Sequence, residues 1–130
     1  MALILYLHGF ASGPKPKSPK IDFLRALGHE VHCLATQGGY RPEDYLRAAE
    51  TALNRSPVDL LVGSSLGGFW ARYLGARHGH PWIGLNPALR PSATLARYPG
   101  RLQRFDVEAS FDWTAADALA YRAYEDEPVD

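Results

Sequence analysis

One cysteine is all that the 130 residues contain. Cys33 has no partner for an internal disulfide, so a fold stapled like those of small secreted proteins is excluded. A reducing, cytoplasmic setting is expected, with Cys33 as a small buried hydrophobe of a strand. Net charge is missing as well: 14 Lys and Arg balance 14 Asp and Glu. Nothing in that balance points to nucleic acid or an anionic membrane as partner. No apolar run approaches the roughly 20 residues that cross a bilayer. Residues Met1 to His8 carry no basic stretch and turn polar too soon for a signal peptide. There is no Cys–His cluster, and His78-Gly79-His80 lacks a third zinc ligand. Neither metal nor cofactor is expected. Internal repeats and low-complexity segments are absent too.

The chain is long enough for one domain with one core, 1–130. Its apolar patterning alternates between short continuous runs and helical stripes. Leu3 to Leu7 reads as a strand covered on both faces. Ser18-Pro19 opens a helix, with Ser18 as N-cap, Ile21, Leu24 and Leu27 as its apolar face, and Gly28 behind it. The basic run Lys15, Lys17 and Lys20 around that start reads as a solvated loop, with contact to an acidic substrate as the alternative. Glu30 to Thr36 is the second strand. Pro42 starts a helix with Glu43 and Asp44 in its first turn, where the dipole favours acids. Asp59 to Gly63 and Pro81 to Leu85 are the third and fourth strands. From about 90 to 115 the pattern breaks down into an irregular, lid-like excursion. Ala118 to Tyr124 reads as a fifth strand or a short helix. Strand–helix alternation of this kind specifies an α/β fold, a parallel sheet of about five strands with helices on both faces.

The chemistry is concentrated at Leu60-Leu61-Val62-Gly63-Ser64-Ser65-Leu66-Gly67-Gly68. An apolar run stops at a Gly-x-Ser-x-Gly, and a segment with Leu66, Phe69, Trp70, Tyr73 and Leu74 as its buried stripe follows at once. This is the strand–elbow–helix pattern that presents a nucleophilic serine in α/β-hydrolases. Ser65 falls at the tip of the turn. Gly63 and Gly67 stand where strand and helix pack too closely for a Cβ. The helix start behind the serine aims free N–H groups at any charge developing on a bound oxygen.

Three blocks in order resemble the YqiA-like bacterial esterases, an α/β-hydrolase branch. They are Leu5-Tyr6-Leu7-His8-Gly9-Phe10-Ala11-Ser12, Val62 to Gly68, and Asn86-Pro87-Ala88-Leu89-Arg90-Pro91. The likeness runs from the N-terminus to about Pro91. It implies that Ser65 is the nucleophile and that the N–H groups of Phe10 and Leu66 form an oxyanion hole. It implies that Asp126, in a shorter fourth match, is the triad acid. His8 and Gly9 would shape the oxyanion loop, beside Ser64. Asn86 and Arg90 would follow the fourth strand at the edge of the sheet where ligands bind.

The family's catalytic histidine lies beyond the last residue of this sequence. The five histidines are His8, His29, His32, His78 and His80, all upstream of Asp126. A serine hydroxyl without an adjacent base is a poor nucleophile. Three explanations stay open: a shortened form of a longer hydrolase, a relative that binds an acyl or carbonyl ligand without turnover, or a histidine supplied by His8 or a second subunit. The expected function is a serine hydrolase of esterase or thioesterase type on small acyl esters, impaired by the missing base. The alternative is a non-catalytic binding or interaction domain on the same scaffold. A sheet edge left exposed would favour a homodimer.

Overall fold

Alternate side chains of Leu3–Leu7 (β1) enter two different apolar clusters. Ile4 and Tyr6 pack with Ile21, Val31 and Val62, whereas Leu5 and Leu7 pack with Tyr45, Leu61 and Trp70. A strand with both pleat faces apolar must be central in a sheet covered on both sides. The computed structural model describes residues 1–14 and 18–125. In it β1 is joined by Glu30–Cys33 (β2), Leu60–Ser64 (β3) and Trp82–Leu85 (β4). All pairings are parallel, in the order β2-β1-β3-β4. From β1 the chain crosses outward to β2, then returns past β1 to β3. The carboxyl ends of β1 and β3 therefore flank the point where the winding reverses, which is where open α/β sheets bind ligands.

Helices cover both faces. Pro19–Ala26 (α1) lies on the Tyr6 side through Ile21 and Leu24. Its N-cap Ser18 accepts a hydrogen bond at Oγ from the Ile21 N–H, 3.5 Å away. Pro42–Arg55 (α2) and Leu66–His78 (α3) lie on the opposite side through Tyr45, Ala49, Phe69 and Trp70. Gly79 closes α3 at φ 72, a left-handed turn that costs glycine little. Among the described residues no helix is long and apolar enough to cross a membrane.

Among the described residues the parallel sheet has four strands. The alanine-rich stretch at Ala118–Tyr124 is helical. Pro91–Thr94 (α4), Ala115–Leu119 (α5) and Arg122–Glu125 (α6) are short helices of the C-terminal part. Thr114 and Asp117 cap α5 reciprocally, and alanine has the highest helix propensity, so helix wins over strand there. The 90–115 segment carries regular structure of its own. A 3₁₀ turn at Leu95–Arg97 leads to an antiparallel hairpin of Gly100–Gln103 (β5) and Ser110–Trp113 (β6). Its inward residues reach the main core. Leu95, Trp113 and Tyr121 are buried there. The Trp113 indole N–H donates to the Leu95 carbonyl at 3.1 Å, and the Tyr121 hydroxyl donates to the Tyr40 carbonyl at 2.6 Å.

The tightest contact is backbone on backbone. A Cβ on Gly63 would sit 2.0 Å from the Gly67 carbonyl oxygen, and one on Gly67 would sit 2.0 Å from the Leu7 carbonyl oxygen. Neither oxygen belongs to a side chain that can swing away. We expect Gly67→Ala to destabilise the chain by at least ~3 kcal/mol, the upper range for overpacking. Urea unfolding reads this directly; a loss within 1 kcal/mol would contradict the packing.

Candidate active site

Ser65 stands between the last residue of β3 and the first of α3, at φ 53 and ψ −117. This conformation is essentially reserved for glycine. Hydrogen bonds hold it there. The Ser65 N–H donates to the Leu85 carbonyl at 3.0 Å, and the Ser65 carbonyl accepts from the N–H groups of Gly68 (3.0 Å), Phe69 (3.2 Å) and Ala88 (2.9 Å). Ala11 and Asn86 also have positive φ, 62 and 47. These three residues follow β1, β3 and β4; Gln37, at φ 56 in the turn after β2, is the fourth described non-glycine residue of this kind.

The loop after β1 faces the elbow. A Cβ on Gly9 would be 3.3 Å from Ser65 Cβ and 3.9 Å from the Leu66 nitrogen. Among the described residues no hydrogen bond uses the N–H of Phe10 or of Leu66. The Phe10 ring fixes its own backbone. It packs edge-on against Tyr40, Phe111 and Trp113 at 5.4, 5.5 and 4.9 Å between centroids. The Tyr45 hydroxyl donates to the His8 carbonyl at 3.1 Å, and the Tyr40 hydroxyl donates to the Ser12 carbonyl at 2.7 Å. Burial pushes Tyr40 up to about 12, so it remains a neutral donor. The His8 ring lies at the boundary of burial, edge-on to Tyr6 at 5.2 Å.

These parts open onto a cavity of about 700 Å³ lined by His8, Gly9, Phe10, Ser64, Ser65, Leu66 and Asn86. Arg90 does not line it. Its carbonyl receives the Ala93 and Thr94 N–H groups at the start of α4, and the residue is exposed. Asp126 lies outside the described residues. His29, His32, His78 and His80 do not line the cavity either; His29 Nδ1, for one, accepts the Ala2 N–H at 3.1 Å below the sheet's far end. The wall also includes Tyr6, Ser12, Lys20, Leu95 and Phe105, beyond the site residues that motif reading assigned to it. Lys20 was visible in the basic run, but a charge run alone does not say which way it faces. Phe105 follows no pattern, because it belongs to a turn.

That turn is locked onto the site. The Phe105 N–H donates to the Ala11 carbonyl at 2.6 Å. Arg104 makes a two-pronged ion pair with the buried Asp106 carboxylate, its Nε 2.9 Å from Oδ1. A Cβ on Gly13 would meet that carboxylate at 2.5 Å. Burial alone would push Asp106 up, but hydrogen bonds from Arg104 and from the backbone N–H groups of Asp106 and Val107, together with the Arg104 charge, outweigh it and hold the carboxyl below its ordinary value.

This arrangement of sheet, switch point and elbow defines an α/β-hydrolase fold. A solved structure from work on LipS and LipT, two metagenome-derived lipolytic enzymes, superposes at a TM-score of 0.59. It shares 19% identity and covers 95% of this chain and 64% of its own. The chain belongs to the family described as Uncharacterised protein family (UPF0227), whose model matches residues 3–123. This is the YqiA-like group to which the sequence blocks pointed. Relatives include a UPF0227 protein of Shewanella sp. (strain MR-7), 26% identical over 98 residues, 72% of this chain and 55% of that protein. A UPF0227 protein of Yersinia pseudotuberculosis is 27% identical over 107 residues, 78% of this chain and 58% of that protein. The chain thus spans about half the length of the curated relatives it matches.

Two outcomes are expected of this geometry. Ser65→Gly should raise stability by about 1 kcal/mol, because glycine removes the backbone strain at φ 53. Equal or lower stability in urea would mean that the turn stores no strain. Arg104→Met should cost on the order of 2–3 kcal/mol at neutral pH by leaving the Asp106 charge buried without its partner. A carboxyl whose folded pKa is depressed contributes stability above its unfolded pKa and loses it as pH falls through the folded one. Without Arg104 burial raises the Asp106 carboxyl, so the gap should be widest near neutral pH, narrow as pH falls and Asp106 protonates in the variant, and close once it protonates in both proteins. A gap independent of pH would exclude the Asp106 charge as its source.

Proposed function

We propose that this chain carries the acyl-transfer centre of an esterase or thioesterase, with Ser65 as nucleophile. The observation that supports it most is the strained Ser65 turn on the wall of a cavity that Phe10 and Leu66 also line, two residues whose N–H groups carry no hydrogen bond among the described residues. In this reading Ser65 Oγ attacks the ester carbonyl carbon. The carbonyl oxygen becomes an oxyanion held by the two N–H groups, each worth roughly 3–4 kcal/mol when correctly aimed. Collapse breaks the bond to the alcohol or thiol, which leaves with a proton, and an acyl-Ser65 ester remains. Water then releases the carboxylic acid. Asp126 is the acid assigned by resemblance. His8 and Gly9 shape the loop, with Ser64 and Asn86 beside the serine. Small acyl esters or thioesters are the substrate class, and the cytoplasm is the setting consistent with Cys33.

Among the described residues His8 is the only histidine on the cavity wall. That favours a second reading, a domain that holds an acyl or carbonyl ligand without turning it over. A homodimer through the β4 edge, where Trp82 and Ile83 are exposed, is compatible with either. We expect a fluorophosphonate to label Ser65 and Ser65→Ala to abolish the label. Turnover of an activated aryl ester should run at least ~10³-fold below that of an intact serine hydrolase, since triad members act as a unit. A folded chain that takes no label supports the binding reading. Turnover at ordinary enzyme rates would mean a base is in place, and His8→Ala would identify it.

A further inference from the structure

We propose that the cavity at Ser65 selects esters carrying an anionic group, a carboxylate or a phosphate, and that Lys20 is the residue that recognises it. This deepens the reading above and rests on the same cavity.

The argument begins from charge. The chain as a whole is neutral, with as many acids as bases. The described cavity wall does not share that balance: among the described residues Lys20 is its one side chain of fixed charge, and none is Asp or Glu. Among the described residues Lys20 makes no ion pair. The nearest acid in the chain, Asp22, is two positions further along α1. Residues two apart on a helix do not face each other, and Asp22 does not line the cavity. Asp126 lies outside the described residues, and Asp106 stands beside the lining residue Phe105 without lining the cavity itself. Its carboxylate is 1% exposed and taken up by Arg104. Nothing described on the wall neutralises the ammonium group.

The rest of the wall sharpens this. Phe105, Leu66 and Leu95 line the same cavity. A single sign of charge against apolar walls concentrates the field into the cleft. The Ser18 hydroxyl oxygen accepts the Ile21 N–H, which leaves its own O–H free to donate beside the Lys20 ammonium at that rim. A cavity of about 700 Å³ holds a short ester with a second functional group. Lys20 itself is exposed, so its ammonium stays hydrated. A preference of a few-fold, not of several decades, is the right scale for such a contact.

The test separates this inference from the nucleophile. Calorimetry on Ser65→Ala compares monomethyl succinate with methyl butyrate, which differ only in a terminal carboxylate against a methyl. A third ligand, 2-acetoxyethyl phosphate, places a phosphate on the alcohol side. At low salt one or both anions should bind about three- to fivefold more tightly than methyl butyrate. The tighter of the two tells carboxylate from phosphate. Lys20→Gln should erase the preference and Lys20→Glu reverse it, with folding checked by circular dichroism. Raising salt should weaken the anions alone. Equal affinities, no binding of either anion, or a preference that survives Lys20→Gln would overturn the inference. Fluorophosphonate labelling of the unmodified chain reports on Ser65 separately. Labelling without an anion preference removes this inference and leaves the esterase reading intact. An anion preference without labelling keeps the Lys20 subsite and turns the chain into a binder.

Discussion

The contact that governs this molecule is the crossing of β3, β1 and α3 at Gly63 and Gly67. Carbonyl oxygens occupy the space where two Cβ atoms would be. No hydrophobic side chain could bring three backbone segments so close. The approach makes the turn between Ser64 and Leu66 sharp, and the sharp turn forces Ser65 out of the ordinary backbone regions. The same approach brings the loop after β1 against the start of α3. Ser65, Phe10 and Leu66 thus line one cavity because of two missing methyl groups. Everything chemical proposed for the chain depends on that packing.

A second layer keeps the loop where the crossing puts it. The Phe10 ring is clasped by Tyr40 from before α2 and by Phe111 and Trp113 from β6. Beneath them Trp70, Tyr121 and Tyr40 form a buried relay: the Trp70 indole donates to the Tyr121 hydroxyl, which donates to the Tyr40 carbonyl. Burial holds the Tyr121 hydroxyl far above its ordinary value, so it stays a donor at every working pH. Such satisfied polar groups fix one arrangement of an otherwise greasy interface. The C-terminal third of the chain, whose described residues supply no strand to the main sheet, therefore acts as a clamp on the Phe10 backbone.

How much of this could be read from the residues follows from how each part is stabilised. The central strands and the elbow were legible because continuous apolar runs and glycine spacing are local signals of burial and close approach. The start of α1 was legible in Ser18-Pro19, and the end of α3 in Gly79, for the same reason. The β5–β6 hairpin was not, since only Leu102, Phe111 and Trp113 turn inward while its other positions face water. Too few alternations remain to signal a strand. Ala118 to Tyr124 was ambiguous because alanine reads weakly until the Thr114–Asp117 cap is recognised. In the site, Ser65, His8 and Asn86 come together because each directly follows a strand. Arg90 stays outside, as the chain has already entered α4 there. Phe105 and Lys20 enter the cavity through tertiary folding alone, which no local pattern encodes.

The outer strand of the sheet leaves its mark on how the protein behaves in bulk. β4 has β3 on one side and, among the described residues, no strand on the other. Trp82 and Ile83 are 38% and 47% exposed along it. A row of unspent amide and carbonyl groups beside two large apolar side chains is a template for intermolecular β-pairing. A chain with balanced charges has little self-repulsion to oppose such contacts. Pairing along this edge would be the route by which folded molecules associate in a concentrated sample, and a lysine at position 83, which does not line the cavity, would oppose it with charge.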